Sequence, residues 1–264
     1  MNDALIGYTG FVGSTLLKQR KFEALYRSGN IGDIRAQQFD ILVCAGAPAQ
    51  KWIANRDPET DRHNICLLID HLRTVKCNRM VLISTVDVFK DPVDVDESTA
   101  VDESGLHAYG MNRRFLEKFV QDHFPAPLII RLPGLVGPGL RKNAIFDFVN
   151  ENNLHTVDSR AIFQFYPMVN LWSDIYCALQ SDLSLIHLTA EPISIADVSL
   201  HGFGKAFFQE LSQTPANYNM RTRFASTFGA SGSYQYGVRE TLQAIRCYAQ
   251  SETVAPRSGQ EPVS

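Results

Sequence analysis

The feature that most constrains this chain is a glycine-rich turn between an apolar strand pattern at 4–8 and a helix pattern at 11–20. Three glycines, Gly7, Gly10 and Gly13, lie in or beside this turn. Such glycines permit a tight turn, a close approach of ligand to backbone, and close packing of the helix on the sheet. The helix N-terminus also points free N–H groups outward, which suits a diphosphate. The spacing GxxGxxG also fits a helix with small residues on its packing face, but its position after a strand favours a dinucleotide site.

Composition limits the classes of function. The 264 residues are 45% hydrophobic and 20% charged, which indicates a globular protein with a substantial core. A net charge of −3 argues against nucleic-acid and membrane-surface binding. Five scattered cysteines without a CxxC pair predict reduced thiols, and the histidine spacing predicts no metal site. We therefore expect a cytoplasmic protein without a signal peptide, a membrane span or a nucleic-acid partner.

Strand and helix patterns alternate through the first half of the chain, as is typical of a parallel sheet with right-handed crossovers. Further strands are predicted at 22–26, 39–48, 80–85 and 128–132, and helices at 61–75 and 107–123. The acidic stretch at 91–103 predicts an ordered surface loop, and a rigid loop is predicted at 133–139. Beyond residue 140 the pattern is looser, with helices predicted at 144–150, 172–181 and 239–250 and a strand at 185–188.

Two strand ends carry side chains that would meet a dinucleotide. The tip of the second strand holds Arg27, Ser28 and Asn30 but no acid for a ribose 2′-hydroxyl. Arg27 and Ser28 could instead meet a 2′-phosphate, so the sequence favours NADP over NAD, although a solvated surface arginine is the alternative. The small residues after the third strand, Ala45, Gly46 and Ala47, leave room where ligands bind in such sheets.

Several segments occur in the order found in the extended short-chain dehydrogenase/reductase family, the group of nucleotide-sugar epimerases, dehydratases and reductases. Most of residues 3–140 resembles this family, through the segments Tyr8-Thr9-Gly10-Phe11-Val12-Gly13, Cys44-Ala45-Gly46-Ala47, Ser84-Thr85-Val86-Asp87-Val88-Phe89, Tyr109-Gly110-Met111-Asn112-Arg113 and Pro133-Gly134-Leu135. The third segment is most similar to that of dTDP-4-dehydrorhamnose reductases.

The resemblance implies an α/β fold, a Rossmann-type doubly wound parallel sheet with a small α+β substrate region at the C-terminus. Residues 1–140 would bind NAD(P), residues 141–250 would cover the substrate and interleave with the sheet, and residues 251–264 would form a disordered tail. The implied cofactor contacts come from Gly7, Thr9, Gly10, Phe11, Val12, Gly13, Arg27, Ser28, Asn30, Ala45, Gly46, Ala47, Tyr109, Arg113, Pro133 and Leu135.

The resemblance also implies the chemistry. Tyr109 would give or take the proton of a hydroxyl or carbonyl while nicotinamide takes or gives hydride, and Thr85 would hold the reacting oxygen. A free tyrosine has a pKa of about 10, so activity near neutral pH needs a shift of roughly three units. The expected activity is that of a nucleotide-sugar reductase or epimerase, with a small-molecule substrate and a homodimer formed through a helix pair.

The chain departs from the family pattern at two positions. Arg113 stands where the family has an active-site lysine that tunes the tyrosine and holds the nicotinamide ribose. Its planar head keeps the charge but does not reproduce a compact ammonium. Val86 replaces the first acid of the dehydratase pair and leaves only Asp87, which disfavours dehydration. A cofactor-binding regulatory or structural subunit without turnover therefore remains the alternative.

Overall fold

The computed structural model describes residues 2–252. The strands, in chain order, are β1 (Ala4–Ile6), β2 (Ala24–Tyr26), β3 (Gln38–Cys44), β4 (Lys76–Thr85), β5 (Val93–Val95), β6 (Pro127–Leu132), β7 (Gly134–Val136), β8 (Ile162–Phe163), β9 (Phe165–Pro167), β10 (Leu185–His187), β11 (Ile193–Ser194) and β12 (Asn219–Met220). The α-helices are α1 (Phe11–Gln19), α2 (Lys51–Arg56), α3 (Pro58–Leu72), α4 (Ala108–His123), α5 (Ala144–Asn150), α6 (Leu171–Gln180), α7 (Ile195–Asp197) and α8 (Val238–Ser251).

The central sheet has six parallel strands in the order β10-β6-β4-β3-β1-β2. The chain enters at β1, pairs β2 on one side of it and then builds the rest of the sheet from β3 on the other side. The direction of winding therefore reverses between β1 and β3, and in open α/β sheets a ligand crevice opens at the carboxyl ends of such a strand pair.

Helices cover both faces of the sheet. On one face, α3 and α4 contribute a buried apolar set to the core, namely Ile65, Leu68, Ile69, Leu72, Leu116 and Val120. On the other face, α1 and α6 contribute Leu16, Leu171, Ile175 and Ala178. Because both faces are covered, the inner strands β3 and β4 carry nearly continuous apolar runs. None of the helices within 2–252 is both long and apolar enough to cross a membrane.

Several boundaries differ from those predicted. Strand β4 begins at Lys76 rather than at 80. The residues at 76–79 are mostly polar and show no strand pattern in the sequence, although they pair with β3. Helix α3 begins at Pro58 rather than at 61, since the Asp57 carboxylate accepts from the Thr60 N–H at 3.2 Å and proline suits the first helical position. The helix α2 was not predicted, and its six residues are too few for a periodic signal.

The segments predicted as loops contain short strands. Within the acidic stretch, β5 pairs with β12, and within 133–139 β7 pairs in parallel with β9. In the C-terminal part, β10 joins the central sheet beside β6. Ser251 is the last residue of α8, and the rest of the predicted disordered tail, 253–264, lies outside the described residues. The predicted division of the chain at residue 140 stays a prediction.

Candidate cofactor and catalytic site

The glycine turn lies where β1 and β3 diverge. Gly7 has a φ of +84°, and a Cβ there would lie 2.4 Å from the Ala45 carbonyl oxygen. A Cβ at Gly13 would lie 2.1 Å from the Gly7 carbonyl oxygen, so the first turn of α1 packs directly on the strand end. Gly10 differs because it is exposed. A Cβ added there would lie 3.4 Å from its nearest neighbour, the Gly7 carbonyl oxygen. Two glycines are therefore required by the fold, and Gly10 leaves an open surface.

The open surface fits a dinucleotide diphosphate. Helix α1 has no side-chain cap and no acid in its first turn, so its leading N–H groups are not satisfied within the helix. Thr9 is exposed, and Phe11 and Val12 are half-buried beside it. Across the crevice, Ala45 donates its N–H to the Ile6 carbonyl at 2.9 Å. The site thus offers hydrogen-bond donors and a positive helix end to an anion.

The residues after the third strand are small because the strands approach closely there. A Cβ at Gly46 would lie 2.7 Å from a methyl carbon of Ile6, and Ala45, Gly46 and Ala47 are all half-buried. These three residues therefore form one wall of the crevice between β1 and β3.

The tip of β2 forms a turn that leaves two side chains exposed. Asn30 shapes the turn, since its Oδ1 accepts from the Arg27 N–H at 2.7 Å and its Nδ2 donates to the Leu25 carbonyl at 3.0 Å. Arg27 and Ser28 are exposed, and Arg27 forms no ion pair with any residue from 2 to 252. The amide of Asn30 thus serves the backbone, while the guanidinium and hydroxyl remain open to a ligand.

Thr85 and Tyr109 come together at the carboxyl end of β4. Thr85 is the last residue of β4, and its Oγ1 accepts from the Asp87 N–H at 3.1 Å. Tyr109 lies in the first turn of α4, with its N–H bonded to Asn55 Oδ1 at 2.9 Å. A Cβ on Gly110 would lie 2.1 Å from the Asp87 carbonyl oxygen. The glycine after the tyrosine therefore lets α4 lie directly on the loop that follows β4.

The groups around Tyr109 shift its pKa in opposite directions. Burial raises the pKa of Tyr109 above its ordinary value, and Asp87 adds to this, whereas Arg113, a hydrogen bond with Thr85, and Lys51 lower it. The side chain is only 8% exposed, so burial dominates. The phenol is therefore protonated near neutral pH.

Arg113 is buried and fully engaged at its outer end. One terminal nitrogen pairs with the Asp61 carboxylate, and the other donates to the Pro48 carbonyl oxygen. Its charged carbon lies 4.1 Å from the centroid of the Tyr109 ring. Asn112 also donates to Asp61, at 2.7 Å. Arg113 thus joins α4 to α3 and to the loop after β3, and its predicted contact with a ribose stays a prediction.

Pro133 immediately precedes β7, and Leu135 lies within it. Both are half-buried, and Leu135 packs in the cluster that includes Tyr8, Phe11 and Val12 of the glycine turn. The Leu135 carbonyl accepts from Asn143 Nδ2 at 2.9 Å, which holds β7 in place.

Two further residues, Lys51 and Tyr218, join this site. Lys51 Nζ donates to Asp87 Oδ1 at 2.7 Å, and the Tyr218 hydroxyl donates to the same oxygen at 3.2 Å. Lys51 follows the carboxyl end of β3, which is the signal that could have identified it. Tyr218 is 131 residues from Asp87 along the chain, and nothing local indicates the contact. Among residues 2–252, no three His, Cys, Asp or Glu side chains form a group able to hold a metal ion.

No protein-family model matches the chain, and no curated protein matches its sequence. Solved structures with similar folds include RMD from Pseudomonas aeruginosa complexed with NADPH, which is 15% identical with a TM-score of 0.68 over 96% of this chain and 100% of that one. A dTDP-4-dehydrorhamnose reductase from Clostridium acetobutylicum is 16% identical, with a TM-score of 0.73 over 95% and 99%. A Thermus thermophilus UDP-glucose 4-epimerase in complex with NAD is 14% identical, with a TM-score of 0.65 over 96% and 100%.

These likenesses identify the fold. The chain matches nearly the whole length of each of these proteins, and its parallel sheet winds in both directions from β1. The predicted Rossmann-type doubly wound α/β fold is therefore confirmed.

Proposed function

We propose that the chain is an NAD(P)-dependent oxidoreductase or epimerase of the extended short-chain dehydrogenase/reductase type, acting on a nucleotide sugar or a similar hydroxylated small molecule. The observation that carries the proposal is the position of Thr85 and Tyr109 at the same sheet edge as the uncapped N-terminus of α1. Two of the structurally similar proteins were solved with NADPH or NAD.

In this proposal, different residues along the crevice bind different parts of the cofactor. The diphosphate would bind the N–H groups of α1, with Thr9, Gly10, Phe11, Val12 and the wall at residues 45–47 around it. Pro133 and Leu135 would contact the nicotinamide end. A bound nicotinamide supplies or accepts the hydride.

The chain's own contribution is control of the proton and of the reacting oxygen. The Tyr109 hydroxyl would donate its proton to a carbonyl oxygen in reduction and take it back in oxidation. Thr85 Oγ1 would hold the same oxygen by a second hydrogen bond. Because burial raises the pKa of Tyr109, a bound cation such as an oxidised nicotinamide would have to lower it for the oxidative direction.

Two successive measurements, cofactor binding and then turnover, test the proposal. Purified protein is first titrated with NADPH and NADH by fluorescence, and nucleotide sugars are then screened for hydride transfer and for epimer formation. Tyr109→Phe should retain cofactor binding and lose activity by about 10²-fold or more, the usual effect of removing a general acid. Tyr176→Phe, at a half-exposed tyrosine on α6, is the matched control. Full activity in Tyr109→Phe would refute the catalytic assignment.

The preference for NADP is a separate proposal that rests on Arg27. Its guanidinium is exposed at the tip of β2, and a 2′-phosphate there would gain a charge-assisted hydrogen bond. Arg27→Ala should weaken NADP about tenfold and leave NAD unchanged, and an equal loss for both cofactors would contradict the assignment. We also propose a cytoplasmic location, from the composition and the scattered cysteines, and a homodimer, from the resemblance. Light scattering on the purified chain tests the homodimer.

A second candidate function is a cofactor-binding subunit without turnover. It is favoured by one observation, that both terminal nitrogens of Arg113 already bond to Asp61 and Pro48. Tight cofactor binding with no turnover on any sugar, unchanged by Arg113→Lys, would support this alternative against the enzyme.

A further inference from the structure

A charged pair stands at the mouth of the candidate site. Lys51 Nζ lies 2.7 Å from Asp87 Oδ1, and the Tyr218 hydroxyl lies 3.3 Å from Lys51 Nζ and 3.2 Å from Asp87 Oδ1. The Asp87 side chain is 16% exposed and that of Lys51 is 39% exposed. The carboxylate therefore faces inward, and its cationic partner comes from α2, a different element, at the solvent side.

The carboxylate is connected to the catalytic pair. Thr85 Oγ1 accepts from the Asp87 N–H at 3.1 Å and lies 3.5 Å from Asp87 Oδ2. Thr85 in turn lies beside the Tyr109 phenol and lowers its pKa. A carboxylate so close to a tyrosine disfavours loss of the phenolic proton, because a second negative charge would form beside the first.

Two other cations near Asp87 and Tyr109, Arg113 and Lys142, do not hydrogen-bond to this carboxylate. Arg113 lies over the face of the ring, but its charge is balanced by Asp61. Lys142 donates to the Ala49 carbonyl oxygen; burial lowers the pKa of its ammonium, and the Asp87 charge opposes this only in part.

His107 also faces the ring, with the two ring centroids 6.4 Å apart. Burial and the charge of Lys51 lower the pKa of His107, so it is neutral near pH 7. Its Nδ1 accepts from the Gly110 N–H at 3.0 Å, which keeps it at the start of α4.

Lys51 itself stays charged. Burial on its own would lower the pKa of the ammonium, but the Asp87 carboxylate and Tyr218 outweigh this and raise it. The cation bonded to Asp87 is therefore permanent at neutral pH.

We propose that Lys51 is a positioning residue that neutralises Asp87 and thereby leaves the Tyr109 hydroxyl able to release and regain its proton. This inference rests on the proposed function, in which Tyr109 is the acid and base. Without Lys51, the Asp87 carboxylate would face the phenol with its charge uncompensated. Lys51 then acts through Asp87, in addition to the charge of Arg113, which lies over the ring and also holds the helices together.

The test reads the ionisation of residue 109 directly. A fluorinated tyrosine, whose phenol ionises nearer neutral pH, replaces Tyr109 in the full chain, and its ¹⁹F resonance is followed through a pH titration. Lys51→Met should raise the midpoint by about one pH unit, and Asp87→Asn should lower it by a similar amount, as expected for a charge a few ångströms away. The double variant should titrate close to the parent, because both charges are then gone.

Controls separate this effect from a change of packing. Lys51→Arg retains the charge and should stay near the parent. Lys142→Met removes a lysine that interacts with the Asp87 charge but bonds to Ala49, so it should shift the midpoint much less than Lys51→Met. An unchanged midpoint in Lys51→Met, or an equal shift in Lys142→Met, would overturn the inference. Should Lys51→Met fail to fold, as judged by circular dichroism, the downward shift in Asp87→Asn still decides the sign, and an upward or absent shift there overturns the inference.

The titration needs no turnover, so it fails or succeeds independently of the proposed function. Opposite shifts in the two single variants of a chain without activity on any sugar would sustain the control of residue 109 by Lys51 and remove the enzyme assignment. Activity that depends on Tyr109, together with identical midpoints in all variants, would sustain the enzyme and overturn the role of Lys51.

Discussion

The glycine turn allows stability and ligand binding to be separated by two single substitutions, Gly13→Ala and Gly10→Ala. A Cβ at Gly13 would lie 2.1 Å from the Gly7 carbonyl oxygen and 2.8 Å from the Tyr8 Cα, so backbone would have to move by more than 1 Å against an ordinary contact near 3.4 Å. At Gly10 the nearest atom is already 3.4 Å away, and its φ of −76° suits alanine.

The expected free energies differ accordingly. Overpacking of this kind costs about 1–3 kcal/mol, and the better helix propensity of alanine returns about 1 kcal/mol. Because the atoms that must move at Gly13 are backbone, we expect the upper end, a net loss of about 2 kcal/mol, or roughly 4–8 °C in Tm for a chain of this size. Gly10→Ala should lower stability by about 0.5–1 kcal/mol, the ordinary preference against alanine at an N-cap.

The variant that loses less stability, Gly10→Ala, should show a clear loss of cofactor affinity. Calorimetric melting gives the stability, and fluorescence titration with NADPH gives the affinity. Gly10→Ala should melt near the parent but bind NADPH about tenfold more weakly, because its methyl group occupies the open surface before α1. Equal melting temperatures for the two variants, or parental affinity in Gly10→Ala, would refute the assignment of the turn.

Three further substitutions test other contacts. Gly110→Ala forces a Cβ to 2.1 Å from the Asp87 carbonyl oxygen and should cost about 1–3 kcal/mol in denaturant unfolding, and a parental midpoint would contradict the close approach of α4. Asp61→Asn leaves the buried Arg113 cation uncompensated and should cost about 3–5 kcal/mol, more than Asp61→Asn combined with Arg113→Met. Burial raises the pKa of Asp174 to about 6, so its neutral form is favoured in the fold and its contribution to stability should fall as pH rises from about 4 to 6. Asp174→Asn should flatten that pH dependence of Tm, and an unchanged slope would exclude Asp174 as its source.

Features that depend on neighbouring residues could be predicted from the sequence. The glycine turn, the strand ends at Ala45 and Thr85, and the helix that carries Tyr109 are each encoded within a few residues by apolar periodicity and glycine position. In a parallel sheet the carboxyl ends of β1, β3 and β4 lie at one edge, so residues that follow each strand meet without further information.

Contacts between distant segments could not be predicted. Arg113 pairs with a carboxylate 52 residues earlier in the chain, and Asp87 bonds a tyrosine 131 residues later. The resemblance predicts that Arg113 stands in the place of a lysine, but the sequence does not indicate that Asp61 is buried opposite it. An acid in the first turn of a helix such as α3 is ordinarily a surface residue near the helix dipole. The location of the site could therefore be predicted from the strand ends. The partner of each charged side chain depends on tertiary packing and could not.

The acidic segment after β4 explains how the C-terminal part reaches the site. Asn219 donates its N–H to the Pro92 carbonyl at 2.7 Å beside the pairing of β5 with β12, and this brings Tyr218 next to Asp87. Two residues after β5, the Glu97 carboxylate accepts from His187, Thr222 and Arg223, at 2.8, 2.7 and 2.9 Å. The acidic stretch at 91–103, whose composition suggests a solvated loop, therefore holds residues of the C-terminal part through Glu97 and through the pairing of β5 with β12. Through Tyr218, the segment 218–223 thus contacts the carboxylate that the preceding loop places near Tyr109.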